Sequence, residues 1–214
     1  TAGIQYLGNN TQDNALGVGI DVPSQISILS TQVVNPTIGT GNYEQAGLWF
    51  GVDEDNYIKV SVQSRATGTF VELLLEINGL VDSSIDTQLT NLGSMPVGLE
   101  LTVDPQAQTI TGTYKIGSGG ETTLASYGAP PEFFSFDAAG INPEIGTRSF
   151  GGVFATNRNG ASPVVYEFEE FKVDEMPLAP VEQQFSFTRK SFTVPTPTSM
   201  VWGPDDKLYV LEMF

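Results

Sequence analysis

A two-residue alternation of apolar and polar side chains, repeated in short runs, is the feature that most restricts how this chain can fold. In residues 45–52, apolar side chains alternate with positions that hold Gln45, Trp49 and two glycines. Because successive side chains of a strand point to opposite faces, this period predicts β-strands, and no long segment has the 3.6-residue period of a helix. The runs predict ten strands: Ala15–Val22, Ile26–Val34, Tyr43–Val52, Tyr57–Ser64, Thr69–Asn78, Val97–Asp104, Thr109–Ile116, Thr122–Tyr127, Phe150–Thr156 and Val164–Val173.

The segments between these runs are rich in turn-forming residues. The chain of 214 residues contains 23 glycines and 13 prolines, and links such as 53–56 and 117–120 consist of Gly, Asp, Asn and Ser with one glutamate. Ten strands exceed what one open sheet comfortably holds, so two packed sheets are expected. The predicted fold class is all-β, a two-sheet antiparallel β-sandwich.

Composition excludes several classes of function. The chain has no cysteine and no histidine, which excludes disulfides, thiolate chemistry, Ser-His-Asp catalysis and His-liganded metals. The formal net charge is −16, so a nucleic acid would be repelled and is not expected as a partner. No apolar run approaches the ~20 residues that a membrane helix needs, so membrane insertion is not expected either.

The organisation of the chain changes near Met176. We assign residues 1–175 to the sandwich, the Pro-containing residues 176–184 to a linker, and residues 185–214 to a second element read as strand, turn and strand. The chain opens on Thr1 and stops inside an apolar run at Phe214. We therefore expect a segment of a larger protein with covalently attached neighbouring domains.

One face of a predicted hairpin suits a sugar. Beside Trp49 it carries Gln45, and the partner strand adds Tyr57 and Lys59. Glycines on either side of Trp49 leave its ring uncovered, and an aromatic ring stacks on the apolar C–H face of a sugar while polar neighbours bond its hydroxyls. The alternative is that a loop or the N-terminal segment buries Trp49.

Two polar loops offer further candidates. The turn with Asp53 and Asp55 carries clustered carboxylates of the kind that calcium prefers, although its spacing is not that of an EF-hand. The alternative is a solvated hairpin turn. The loop around Arg158 can rim a binding face, where a guanidinium bonds hydroxyls or a carboxylate. The alternative is again a solvated turn.

Several motifs together resemble a known family. They are the runs Tyr43-Glu-Gln-Ala-Gly-Leu-Trp-Phe-Gly51, Asp53-Glu-Asp-Asn-Tyr-Ile-Lys59, Leu99-Glu-Leu-Thr-Val-Asp104, Ile110-Thr-Gly-Thr-Tyr114 and Tyr166-Glu-Phe-Glu-Glu-Phe-Lys-Val173. Between about Leu16 and Val173 the chain is similar to the concanavalin A-like jelly-roll modules of bacterial carbohydrate-active enzymes, such as the C-terminal domain of some β-xylosidases. Such modules often bind on a concave sheet, which the resemblance implies here for the face of Trp49.

The resemblance also implies a structural Ca²⁺. In related jelly rolls an acidic residue of the last strand holds the ion against the first strand, and Glu170, with Asp21, stands in the comparable place. The metal candidates are therefore Asp53, Asp55 and Glu170.

The tail carries a second resemblance. The run Thr198-Ser-Met-Val-Trp-Gly-Pro-Asp-Asp-Lys-Leu-Tyr-Val210 is similar to the opening blade of the β-propellers of soluble sugar dehydrogenases. The match covers one strand pair, so it implies a truncated first blade. Both families are usually secreted and act on sugars.

A catalytic pair is not expected. Some glycosidases that resemble this fold place their acids in a Glu-x-Asp-x-Glu motif, whereas Leu74 occupies the centre between Glu72 and Glu76. Those two residues are ~13 Å apart along a regular strand, but a retaining pair needs about 5–5.5 Å between carboxyl groups. We interpret both as surface or cross-strand paired charges.

These features predict a non-enzymatic, secreted module that binds a polysaccharide or oligosaccharide and is stabilised by calcium. The alternative is a structural spacer or adhesion module without a sugar site. A glycosidase is the third interpretation, and it would require two carboxylates that face each other across a cleft.

Overall fold

The chain divides into two compact units, Thr1–Ala179 and Pro180–Phe214. The computed structural model describes residues 5–6, 15–20, 22, 25–134, 149–158, 164–178, 197–202 and 208–212, the last two ranges as backbone only. Within these ranges, no helix has both the length and the apolar character that crossing a bilayer requires.

The described part of the first unit contains eleven strands and one short 3₁₀ helix. The strands are β1 (Ala15–Ile20), β2 (Gln25–Val33), β3 (Asn42–Gly51), β4 (Tyr57–Arg65), β5 (Gly68–Ile77), β6 (Leu80–Gln88), β7 (Val97–Asp104), β8 (Thr109–Ile116), β9 (Thr122–Gly128), β10 (Ser149–Thr156) and β11 (Phe168–Pro177). The 3₁₀ helix, Pro131–Phe134, follows β9.

These strands form two sheets. One has six strands in the order β1-β10-β3-β4-β5-β6, and the other has five in the order β11-β2-β7-β8-β9. Every neighbouring pair is antiparallel. The predicted all-β, two-sheet antiparallel sandwich is confirmed.

Apolar side chains of both sheets meet in one core. The alternation places Leu48, Val60 and Leu73 of the six-stranded sheet, and Leu29 and Leu101 of the five-stranded sheet, among its fully buried members. The close packing of this core depends partly on a glycine, Gly112. A Cβ at Gly112 would lie 2.5 Å from Cδ1 of Leu73, so the leucine packs where only glycine leaves room.

Two strands differ from the prediction. Strand β6 was not predicted, because its sequence lacks the alternation that marks an apolar face. In the structure seven of its nine residues are exposed. Strand β11 lies about four residues later than predicted and runs into the proposed linker. Its register shifts between Glu169 and Lys172, and Glu170 has a φ of 54° there, which marks a β-bulge.

The second unit contains an antiparallel strand pair. Its strands are β12 (Pro197–Trp202) and β13 (Leu208–Glu212). The pair agrees with the strand–turn–strand reading of this segment. Its assignment as the first blade of a propeller, like the domain boundaries of 175 and 184, stays a prediction.

Candidate functional site

The outer face of the six-stranded sheet gathers the side chains that the sequence singled out. In the β3–β4 ladder, Trp49 lies opposite Lys59 and Gly51 lies opposite Tyr57. Strand β5 continues this face, because Tyr57 is also opposite Glu76. We call this surface the polar face and define it by Gln45, Trp49, Tyr57, Lys59, Ser61, Gln63, Glu72, Glu76, Phe154 and Thr156.

Lys59 occupies the middle of the polar face and is fully buried. Its Nζ donates a hydrogen bond to the backbone carbonyl of Gln5 and lies 5.9 Å from the ring centres of Tyr6 and Phe154. Burial, with a smaller contribution from the positive charge of Arg158, lowers the pKa of Lys59 to about 8. The nearby acidic side chains oppose this shift in pKa without cancelling it.

The two glutamates of β5 have different environments. Glu72 is held by Arg65, whose guanidinium lies 3.3 Å from the Glu72 carboxylate and 2.9 Å from that of Asp86. This is the expected cross-strand charge pair. Glu76, in contrast, is fully buried beside Tyr57, so its interpretation as a surface charge is wrong. Burial and the negative charge of Glu76 raise the pKa of Tyr57.

Several buried polar groups of the polar face lack a hydrogen-bond partner among the described residues. They are both amide atoms of Gln45, the indole Nε1 of Trp49, the Ser61 hydroxyl and the Thr156 hydroxyl. Gln45 is opposite Thr156 on one side and Gln63 on the other, so these groups share one region. Since about nine in ten buried polar groups in proteins are bonded, such a concentration indicates a place for polar ligand atoms or water.

The centre of the polar face is covered rather than open. Gln5 and Tyr6 lie over it, and the Tyr6 ring also stacks on Arg158, whose Cζ is 4.5 Å from the ring centre. Lys59, which both residues contact, is 0% exposed, and its neighbours Gln45 and Tyr57 are 0% and 1% exposed. The sequence predicts an open face, with cover of Trp49 by a loop or the N-terminal segment as the alternative. The structure places Gln5 of that segment on Lys59, 54 residues away in the chain.

Trp49 is half-buried and lies at the edge of the covered region. Its ring extends towards β1, where a Cβ at Gly17 would come within 2.8 Å of Cζ2. The ring is not uncovered as predicted, since Trp49 is half-buried. The Cβ positions of the flanking glycines, Gly47 and Gly51, are occupied by atoms of residues 56–57 and 60–61. All five predicted sugar-binding residues, Gln45, Trp49, Tyr57, Lys59 and Arg158, nevertheless lie on the polar face or its rim.

The predicted metal ligands belong to two separate candidate sites, the turn of Asp53 and Asp55 and the position of Glu170. Asp53 lies in the β3–β4 turn, where its carboxylate accepts hydrogen bonds from the Asp55 amide at 2.9 Å and the Asn56 side chain at 2.8 Å. Glu170 belongs to the other sheet and pairs with Lys172 at 3.3 Å. No group of three acidic side chains in the described ranges can hold a metal ion. Asp21 lies outside those ranges, and calcium binding stays a prediction.

Three members of the polar face were not among the predicted sugar-binding residues. Ser61, Gln63 and Thr156 have the same alternation phase as Lys59 and Trp49, so their shared face was readable from the pattern. Their burial was not readable, because polar side chains at alternate positions ordinarily indicate a solvated face.

No protein-family model and no curated protein matches the chain. Solved structures of similar fold include a GH43 protein from Bacillus licheniformis, with a TM-score of 0.62 and 14% identity over 80% of this chain and 31% of that chain. The xylan beta-1,4-xylosidase from Bacillus halodurans C-125 has a TM-score of 0.59 and 16% identity over 81% and 32%. A functionally unknown protein from Saccharomyces cerevisiae has a TM-score of 0.51 and 14% identity over 77% and 74%.

The chain thus spans about a third of the length of the two bacterial proteins. At these identities the likeness concerns the fold, and it agrees with the two-sheet topology described above. The concanavalin A-like jelly roll expected from the sequence motifs is confirmed as the fold of the first unit.

Proposed function

We propose that the first unit is a non-catalytic carbohydrate-binding module of a secreted multidomain protein and that the polar face is its binding site. The observation that carries this proposal is the group of buried polar atoms, beside the half-buried ring of Trp49, that have no hydrogen-bond partner in the part of the chain that the structure describes. The bacterial structures of similar fold support it, since one is a GH43 protein and another is a xylan beta-1,4-xylosidase.

A sugar suits the chemistry of these unpartnered groups. The Gln45 side chain needs both an acceptor for its NH₂ and a donor for its oxygen, and a hydroxyl group supplies either. Trp49 offers an indole donor and an apolar ring for the C–H face of a pyranose. Lys59 adds an ammonium group with three donors in a region of low dielectric, where each hydrogen bond is stronger than in water.

Access to the site requires movement of the cover. A sugar at Lys59 replaces the hydrogen bond to the Gln5 carbonyl and the ring of Tyr6. The free energy of opening reduces the observed affinity, so modest binding is expected even with good contacts.

The arrangement of acidic groups favours binding over hydrolysis. Glu72 is engaged by Arg65, and Glu76 lies four positions further along the same strand, with three residues between them. That spacing is ~13 Å on a regular strand, beyond the ~5–9.5 Å that separates the carboxyl groups of retaining or inverting glycosidases.

The test measures binding to a panel of soluble plant and algal polysaccharides by affinity electrophoresis and calorimetry. Trp49→Ala is expected to reduce binding at least about tenfold with a small change in melting temperature. Leu80→Ala, at an exposed position of β6, is the matched control and leaves binding unchanged. Binding by Trp49→Ala equal to that of the unaltered chain overturns the assignment of the site.

The cover favours a second candidate, a structural spacer without a sugar site. In that case Gln5 and Tyr6 are permanent parts of the domain, and the buried Lys59 is a structural contact. The same panel separates the candidates, because a spacer binds none of the polysaccharides, and Trp49→Ala then changes stability alone.

A further inference from the structure

A groove of about 440 Å³ lies on the five-stranded sheet, whereas the polar face belongs to the six-stranded sheet. One transverse row of residues crosses four strands of this sheet. Lys172 pairs with Ser30, Ser30 with Glu100, and Glu100 with Thr113. Directly opposed residues project from the same side of a sheet, so these four side chains share the outer face.

A neighbouring row completes the groove. Gln32 is opposite Gly98, and Gly98 is opposite Lys115. A Cβ at Gly98 would come within 2.8 Å of Lys115 Cε, so the lysine stem lies across the glycine. At the other end, the Gln32 amide donates a 2.7 Å hydrogen bond to Glu169, directly before the β11 bulge.

The groove is negatively charged. Its lining includes five acidic side chains and two lysines: Glu100, Glu121, Glu169, Glu170, Asp174, Lys115 and Lys172. Burial raises the pKa of Glu100, and the negative charges of Glu121 and Asp174 add to the shift, against the hydrogen bond from Thr102 and the charge of Lys115. A cationic group placed beside Glu100 therefore relieves a repulsion that Thr102 and Lys115 compensate only in part.

A second, independent feature points into the same groove. Thr113 is 5% exposed, and its hydroxyl is buried without a hydrogen-bond partner among the described residues. It is directly opposite Glu100, so its side chain shares the outer face on which the groove is formed. A buried hydroxyl with no partner is costly, and a ligand that reaches Glu100 is positioned to satisfy it.

The chemistry of the lining narrows the ligand. No group of acidic side chains in the described ranges has the arrangement of a metal site, and we therefore consider an organic cation. The hydrogen-bonding side chains Ser30, Gln32 and Thr113 stand beside the carboxylates, and these suit a ligand with hydroxyls as well as a positive charge. The net charge of −16 attracts a polycation from a distance.

We propose that this groove is a second saccharide site, which binds oligosaccharides that carry free amino groups, with Glu100 as the partner of the ammonium group and Thr113 as a hydroxyl partner. The proposal rests on the proposed function only in taking the ligand to be a saccharide. The two sites lie on different sheets and are tested separately.

The experiment compares a fully deacetylated glucosamine oligomer with its N-acetylated counterpart of equal length by calorimetry. It is run at about pH 6, where amines of ordinary pKa are protonated. The deacetylated oligomer is expected to bind at least about tenfold more tightly. Glu100→Gln is expected to remove most of this preference, and Thr113→Val to weaken binding of the deacetylated oligomer.

Asp82→Asn, an exposed acid on β6 of the other sheet, removes the same charge and is the matched control. Equal affinity for the two oligomers overturns the proposal. A loss of affinity for the deacetylated oligomer that is as large in Asp82→Asn as in Glu100→Gln also overturns it, because it indicates diffuse electrostatic attraction. Spermidine tests the contribution of the amino groups alone. If spermidine binds in a Glu100-dependent manner and the deacetylated oligomer does not bind, the saccharide assignment is overturned. Loss of neutral polysaccharide binding in Trp49→Ala, but not in Glu100→Gln, keeps the two proposals distinct.

Discussion

The buried ammonium group of Lys59 makes the stability of the fold depend on pH in a direction opposite to that of most salt-bridged lysines. Its pKa is about 8 in the folded chain, against an ordinary value of 10.5. Between these two values the unfolded chain binds more protons than the folded chain. Stability therefore rises as pH increases through this window, because the folded chain already holds Lys59 neutral while the unfolded chain loses the proton that favoured it.

The two pKa values set the size of the effect. Linkage gives a penalty of about 3 kcal/mol at pH 7, of which about 2 kcal/mol is relieved by pH 9.5. The measurement is urea unfolding at both pH values for the unaltered chain and for Lys59→Met, whose side chain is similar in length and uncharged. Subtracting the variant's pH dependence removes the contribution of the other titrating groups that the two chains share.

Lys115→Met, at an exposed lysine of β8, is the control for the loss of one lysine. The expected result is a difference of about 2 kcal/mol in pH response for Lys59→Met alone. An identical pH response in the unaltered chain and in Lys59→Met refutes the reasoning. It means that Lys59 is hydrated in solution and that the cover of Gln5 and Tyr6 is open.

Two further predictions concern the backbone and the metal. Gly47→Ala is expected to lower the free energy of unfolding by about 3 kcal/mol, because its Cβ would lie 2.1 Å from the Val60 carbonyl oxygen. Chemical denaturation checks this, and a loss below about 1 kcal/mol contradicts the packing. Calcium is expected to raise the melting temperature relative to a chelator, and Asp53→Asn to reduce that rise; an unchanged melt in calcium removes Asp53, Asp55 and Glu170 as ligands.

Local patterns were sufficient for most of the sandwich. Strands with one apolar face, such as β3 and β4, are apparent from the alternation, and so is the shared face of Trp49 and Lys59. Strand β6 was missed because it has no apolar face to produce an alternation. It lies at the sheet edge with most side chains exposed, so its residues experience no selection for an apolar face.

The candidate site was predictable in its membership but not in its burial. Residue type and alternation phase placed Gln45, Tyr57 and Lys59 together, whereas Gln5 and Tyr6 reach them through the tertiary fold. The groove on the other sheet was even harder to predict from the sequence. It depends on the register of β11, β2, β7 and β8, and a bulge at Glu170 displaces that register in a way that no periodicity reveals.

The two edge strands of the six-stranded sheet, β1 and β6, differ in how readily they can pair with a strand of another molecule. At one margin, β6 carries Asp82 and Asp86, and its register slips beside Glu76, so charge repulsion and an irregular backbone discourage another strand from docking. At the other margin, β1 has no charged residue, and its Leu16 and Val18 are exposed. Self-association that extends this sheet would therefore proceed from β1, and a single lysine introduced there would be the simplest means of preventing it.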